Sequence, residues 1–294
     1  MPSSIHIRSY AKINWTLEVL SRREDGYHEL RTIYQTVSLY DELRITATDG
    51  SIEIVCNDPR VPCDETNLAF KAAAQLLQAA GISKGARIET EKRIPVAAGL
   101  GGGSSNAAAA LLALVKLWEI EIDERELAGI AAALGSDVPF FLIGGTALGV
   151  GRGEEVSSIE QLHCEQLLLV NPGFAVSTRE AYEKLSRLTR SEAAFNIPLA
   201  LLAAKGISGL PLVARNDLED AVLADHPEIA EVKRRLSSLG AIHAQMSGSG
   251  ATVFGVFDNT QMTELAEAEM RSLGYWAQRV RTIDRQEYQA TILR

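Results

Sequence analysis

The chain has 294 residues, 46% hydrophobic and 23% charged, with a formal net charge of -9. That length exceeds the usual reach of one hydrophobic core, so two domains are expected, 1–157 and 158–294. The acidic balance argues against a duplex-binding protein, which would carry a basic face, and no nucleic-acid partner is expected.

Cys56, Cys63 and Cys164 have neither a disulfide-scaffold nor a zinc spacing and read as reduced thiols. The opening MPSSIHIRSYAKINW lacks the charged head and apolar run of a signal peptide. The longest apolar run, Ala107 to Val115, falls short of the roughly 20 residues that span a bilayer. A cytoplasmic protein with no membrane partner is expected, as a monomer or weak homodimer.

Alternating and β-branched residues predict strands over Ile5–Tyr10, Ala11–Leu20, Leu43–Thr48, Ile52–Cys56 and Ala86–Glu91. A helix is predicted over Asn67–Ala80, with Gly81 ending it. A second helix, Ser105–Leu117, follows a glycine cluster. A third, Glu124–Leu134, starts at an Asp123/Glu126 capping pattern and stops at Gly135. Phe140–Val150 is apolar and glycine-dotted, and the polar stretch Gly151–Gln161 reads as the domain boundary.

Beyond it come a buried strand, Gln166–Val170, and a turn at Asn171-Pro172-Gly173. A helix over Asp225–Leu239 has an Asp cap and Pro227 in its first turn, and another spans Thr260–Leu273. Strands Ala244–Met246, Thr252–Phe257 and Trp276–Thr282 complete the chain. Strands and helices mix without regular alternation, which favours an α+β fold.

The most informative stretch is Pro95-Val96-Ala97-Ala98-Gly99-Leu100-Gly101-Gly102-Gly103-Ser104-Ser105. Its glycines let an anion approach the main chain, Ser104 or Ser105 can cap the helix that follows, and the helix N-terminus attracts phosphate. It is not a Walker A loop, because no Gly-Lys-Ser/Thr follows. It also misses the last glycine of a dinucleotide fingerprint, which weighs against an oxidoreductase. Its plainer reading is a flexible turn before an alanine-rich helix.

Three stretches resemble the GHMP kinases: Ser9-Tyr10-Ala11-Lys12-Ile13-Asn14-Trp15, the glycine loop, and Met246-Ser247-Gly248-Ser249-Gly250-Ala251-Thr252. AKINWTLEVLSRREDGYHEL, GLGGGSSNAA and LGSDVPFF are similar to a subfamily that phosphorylates a cytidyl-linked methylerythritol in the non-mevalonate isoprenoid pathway. The resemblance spans nearly the whole chain and is weakest over 185–213. It implies a two-domain fold. An N-terminal ATP-binding domain meets a C-terminal ferredoxin-like α/β domain at the active-site cleft.

It also implies ATP as phosphoryl donor, with Mg²⁺ expected, and a small-molecule acceptor. On pattern alone Lys12, Asn14 and Thr16 form a solvated strand face, with Ala11, Ile13, Trp15 and Leu17 opposite. Asp137, before Val138-Pro139, reads as a helix cap. The resemblance instead makes Lys12 and Asp137 catalytic, and Asn14 becomes a candidate hydrogen-bonding group for the substrate. It gives Tyr27 and His28 the cytosine, with Tyr182 on its other face and Thr178 nearby.

Ser247, Gly248 and Ser249 read either as cleft lining or as a plain turn between strands. No metal ligand is assigned; the hydroxyls of Ser104 and Ser105 are the nearest candidates. A homoserine or mevalonate kinase shares the loop and Lys12, and the Tyr27-His28 pair separates them, since a small aliphatic acid has no base to stack. A catalytically dead sensor is disfavoured by the intact Lys12, Asp137 and loop. Arg215-Asn216-Asp217-Leu218-Glu219 echoes the family without an evident role.

Overall fold

A computed structural model describes residues 4–185, 206–209 and 213–292. The stretch 185–213, where the resemblance is weakest, lies mostly outside the described residues. Strand β1 (Ser4–Arg22) and strand β2 (His28–Thr48) form one long antiparallel hairpin. Along its other edge β2 takes β5 (Thr146–Gly151) beside its first half and β4 (Gly85–Glu91) beside its second. Strand β3 (Ile52–Cys56) runs parallel to β4, and β6 (Glu155–Ser158) closes the edge beyond β5.

On one face lie α1 (Leu68–Ala80) and α2 (Gly102–Trp118). Helix α3 (Glu124–Leu134) leads through a tight turn to the single-turn α4 (Phe140–Ile143). Asn67 caps α1, Gly81 ends it in the left-handed region at φ 63°, and the Asp123 carboxylate accepts from Glu126 N. These termini follow the expected capping chemistry.

The second sheet is built from β7 (Leu167–Asn171), β8 (His243–Met246), β9 (Val253–Val256) and β10 (Trp276–Val280). Its order is β10-β7-β9-β8 with every pair antiparallel, which is a ferredoxin-like 4-1-3-2 arrangement. Helices α5 (Thr178–Leu185), α6 (Glu219–Leu223) and α7 (Pro227–Ser238) precede β8, and α8 (Thr260–Ser272) precedes β10. The final helix, α9 (Arg285–Ile292), crosses back and buries Tyr288 and Ile292 in the first core.

A third cluster joins the two bodies. Ile13, Trp15, Ile33 and Val37 of the first sheet pack against Leu167, Leu169, Phe254 and Val256 of the second. The Trp15 and Phe254 rings meet edge to face at 5.4 Å.

Several expectations are corrected. Residues 5–20 are one strand, not two. The solvated-face reading of Lys12, Asn14 and Thr16 fails, because they are only 3%, 1% and 3% exposed. The pairing of β1 with β2 shifts register between Asn14 and Thr16, and Trp15 is the extra residue. A one-residue shift flips which face each side chain takes. Lys12 and Asn14 therefore line the cleft, and so does Leu17, which the simple alternation put on the opposite face.

The first half of β2 was not expected. Its sequence, HELRTIYQTVSLY, mixes charge into a strand buried on both faces and so shows no clean alternation. The polar boundary stretch 151–161 contains β6, an edge strand. Helix α7 is preceded by His226 without a side-chain cap, while Asp225 pairs with Lys184 instead.

Candidate active site

The glycine loop follows β4 and opens α2. Gly99 and Gly101 have φ of 77° and 69°, the left-handed region that glycine tolerates best. Space also demands glycine at both positions. A Cβ on Gly99 would stand 2.2 Å from the Ser247 carbonyl oxygen, and one on Gly101 would stand 2.9 Å from the Phe141 ring and 3.0 Å from Lys12 Cγ. The loop is tied on both sides. Lys12 N donates to Leu100 O at 3.0 Å, Thr252 N to Ala98 O at 3.2 Å, and Ser247 Oγ to Gly99 O at 3.0 Å.

Helix α2 starts at Gly102 with Gly101 as its N-cap and no side-chain cap, so the expected capping by Ser104 or Ser105 does not occur. The left-handed glycine lets the helix begin inside the loop, and both serines become part of its first turn. First-turn N–H groups have no partner within the helix and sit at the positive end of its dipole, which suits an anion.

This loop edges a cavity of about 1170 Å³. Of the expected loop residues, Pro95, Val96, Ala97, Ala98, Gly99, Gly101, Gly102, Gly103 and Ser104 line it. Leu100 and Ser105 do not. Leu100 is buried in the third cluster, and the Ser105 hydroxyl accepts from Ser9 Oγ at 2.8 Å.

Against the loop, Lys12 Nζ lies 3.3 Å from Asp137 Oδ2 and donates to Asn14 Oδ1 at 2.8 Å. A buried ammonium is costly unless paired and hydrogen-bonded, and both conditions are met. Asn14 is itself fixed by donating to Thr32 Oγ1 at 2.7 Å. Asp137 lies in the turn between α3 and α4. It is not the helix cap that sequence pattern suggests, since α4 begins after Pro139 without a side-chain cap. Its Oδ1 accepts from the Tyr34 hydroxyl at 2.9 Å. Burial, then the Asp137 charge, pushes the Tyr34 hydroxyl well above its ordinary value, so it stays a neutral donor.

At one end of the cavity a turn at Asp25-Gly26 presents Tyr27 and His28. Tyr27 N donates to Asp25 Oδ1 at 3.0 Å. The Tyr27 ring is 55% exposed and lies under the Arg152 guanidinium at 4.9 Å. His28 and Tyr182 stack with centroids 5.3 Å apart. His28 Nε2 is shielded from solvent with no hydrogen-bond partner among the described residues. Burial, helped by Arg22, lowers the imidazole below its ordinary value. Thr178 shares a 2.7 Å hydrogen bond with Ser249, and Gly248 and Ser249 line the cavity, whereas Ser247 is buried behind them.

The other end is walled by Val61, Pro62, Thr66, Asn67, Leu68 and Lys92. Lys92 Nζ is held at 2.6 Å by Asp41, which is fully buried and also accepts from Asn106 and from the N–H groups of Arg93 and Ile94.

Family models match the chain twice: GHMP kinases N terminal domain over residues 67–145 and GHMP kinases C terminal over 200–275. A 4-diphosphocytidyl-2-C-methyl-D-erythritol kinase from Syntrophus aciditrophicus (strain SB) is 45% identical over 274 residues, covering 93% of this chain and 97% of its own. The chain belongs to the 4-diphosphocytidyl-2-C-methyl-D-erythritol kinase family of GHMP kinases.

The enzyme of that name from Geobacter sulfurreducens is 41% identical, with 94% and 98% of the two chains covered. A crystal structure of 4-(cytidine 5'-diphospho)-2C-methyl-D-erythritol kinase superposes with a TM-score of 0.77 at 35% identity, covering 95% of this chain and 99% of the other. Homoserine kinase from Cytophaga hutchinsonii reaches 0.75 at 19% identity over 98% and 97% of the two chains, a likeness of fold alone.

The structure brings Lys12, Asn14, Tyr27, His28, Asp137, Thr178 and Tyr182 to one cavity. Sequence reasoning missed Tyr34, because its strand was not recognised. It missed Arg152, inside the presumed boundary, and the Asp41–Lys92 pair, whose partners are 51 positions apart. Lys92 had one legible signal, its position three residues before the loop.

Tyr34→Phe keeps the ring stacked on Phe140 and deletes the donor to Asp137, together with a longer 3.4 Å contact to Gly153 O. We expect kcat to fall about tenfold with little change in Tm, since a freed carboxylate is no longer held in one orientation. Steady-state kinetics alongside a thermal melt checks this, and an unchanged kcat would contradict the role given to Tyr34.

Proposed function

We infer that the chain is an ATP-dependent kinase that phosphorylates the 2-hydroxyl of 4-diphosphocytidyl-2-C-methyl-D-erythritol in the non-mevalonate isoprenoid pathway. The family membership supports the reaction. The observation that carries the chemistry is the Lys12–Asp137 pair facing a glycine loop that opens a helix.

In the proposed mechanism the ATP phosphates lie along Pro95–Ser104 and the N-terminus of α2. Phosphoryl transfer needs alignment and charge neutralisation more than covalent help. The acceptor oxygen forms a bond to the γ-phosphorus as the bridge to the β-phosphate breaks, and ADP leaves. Asp137 accepts the hydroxyl proton, Lys12 offsets charge on the γ-phosphoryl oxygens, and Asn14 orients the acceptor. The apolar wall at Val61, Pro62 and Leu68 suits a purine, with Lys92 at its edge.

The Ser104 hydroxyl, a hard oxygen donor lining the cavity, would be the protein group nearest to hand for a Mg²⁺ bound with ATP, and such an ion would supply neutralisation of phosphate charge. Among the described residues no group of three His, Cys, Asp or Glu forms a cage for such an ion.

At the far end, Tyr27, His28 and Tyr182 are proposed to recognise the cytosine. The orphaned Nε2 of His28 supports this, because a neutral imidazole can meet a base edge with one donor and one acceptor. The lowered pKa keeps His28 neutral at pH 7. We also propose the working division 1–157 for the nucleotide and 158–294 for the C-terminal half, a cytoplasmic location, and action as a monomer or weak homodimer. No described helix is long and apolar enough to cross a membrane.

Asp137→Asn should lower kcat by about 10²–10⁴ while the KM for ATP stays within a few-fold. Turnover near wild type would remove Asp137 as the base. Tyr27→Ala should raise the KM for the cytidyl alcohol about tenfold with little effect on ATP, as expected for a lost base-stacking face. Equal changes in both KM values would sink the assignment.

A further inference from the structure

The segment Arg215-Asn216-Asp217-Leu218-Glu219 takes no part in the chemistry above, yet it backs the turn between β8 and β9. Asn216 is buried and does not line the cavity. Its Nδ2 donates to the carbonyls of Met246 at 2.9 Å and Gly248 at 2.7 Å, and its Oδ1 accepts from Leu218 N at 3.0 Å. Glu219 accepts from Met246 N at 2.7 Å. The same segment is stitched to β1. Leu17 N donates to Arg215 O at 2.8 Å, Asp217 N to Leu17 O at 2.9 Å, and Val19 N to the Asp217 carboxylate at 2.9 Å.

The front of that turn touches each working part of the site. Ser247 Oγ holds Gly99 O, and Thr252 N holds Ala98 O. Gly248 abuts the catalytic floor so closely that a Cβ there would stand 3.3 Å from Lys12 Nζ and 3.5 Å from Asn14 Oδ1. Ser249 is hydrogen-bonded to Thr178. Gly248 and Gly250 both lie in the left-handed region, at φ of 56° and 87°. Such glycines give a turn little rigidity of its own, so the groups behind it set its position.

We propose that Asn216 is a positioning residue for phosphoryl transfer: its two donated hydrogen bonds fix the β8–β9 turn, and the turn holds the glycine loop, Lys12 and Thr178 at one mutual spacing. The proposal rests on the kinase reading of the cavity. Because the turn meets both the nucleotide loop and the acceptor side, loosening it disturbs both substrates, whereas a residue at one end disturbs one.

The test compares wild type, Asn216→Asp, Asn216→Ala and Met270→Ala, with ATP and the cytidyl alcohol varied in turn. Rates are taken well below each Tm. Wild-type turnover checks the kinase reading, and the variant ratios check the positioning role, so the two fail separately. Asn216→Asp keeps size and the acceptor for Leu218 N–H, but sets a carboxylate oxygen against two carbonyl oxygens. It should lower kcat at least about tenfold and raise both KM values, because small misplacements of reacting groups are costly. Asn216→Ala should move in the same direction. Met270 is buried in the same core on α8, which packs against β10 and β7. Met270→Ala should lower Tm while leaving kcat and both KM values within about twofold. The proposal is overturned if Asn216→Asp keeps kcat within about threefold of wild type, or if Met270→Ala loses activity equally at the same loss of Tm.

Discussion

An ammonium group placed where water hardly reaches it is the constraint on which the rest of the cavity depends. Lys12 is 3% exposed, and a lone charge at such a depth is unfavourable by several kcal/mol or more, on the order of the effective desolvation cost per ion. Asp137 offsets it at 3.3 Å and Asn14 Oδ1 accepts a hydrogen bond from it at 2.8 Å. Each partner is fixed in turn, Asp137 by the Tyr34 hydroxyl and Asn14 by Thr32. The carboxylate that compensates Lys12 is thus held in one orientation at the cavity wall, and the proposed proton acceptor is that same group. Stability and chemistry call for the same pair.

The pair also explains why the two halves of the molecule cannot be independent. The bulge at Trp15 turns Leu17 toward the second core and leaves Lys12 and Asn14 facing the cleft. Gln245 of β8 donates to the carbonyls of Asn14 and Trp15 at 3.3 Å, so the second sheet holds the irregularity in the first. The Trp15–Phe254 contact lies beside it. A cleft formed this way is lined by β1 and β2 of the first sheet and, from the second body, by α5 and the β8–β9 turn.

Much of this was legible in the residues. The glycine loop, its helix, the caps at Asn67 and Asp123 and the strand after Gln166 follow from local rules, because capping and turn chemistry act within a few positions. The cleft residues Lys12, Tyr27, His28, Asp137, Thr178 and Tyr182 became legible through resemblance, not pattern. Pattern alone placed Lys12 on a solvated face and Asp137 at a helix cap. Both readings fail because burial and ion pairing are set by segments more than a hundred positions away. Tyr34 stayed hidden because β2 is covered on both faces and shows no alternation. The start of α2 was misjudged because a left-handed glycine opened the helix ahead of the serines that usually cap one.

One end of the cavity is proposed to read a nucleobase while the other holds ATP. The direct measurement is initial-rate ATP consumption by the purified protein with Mg²⁺, offering 4-diphosphocytidyl-2-C-methyl-D-erythritol, homoserine and mevalonate separately. The account predicts turnover with the cytidyl alcohol and none above background with the other two. Turnover with homoserine or mevalonate at a comparable kcat/KM would contradict it, because neither offers a base for Tyr27, His28 and Tyr182 to hold.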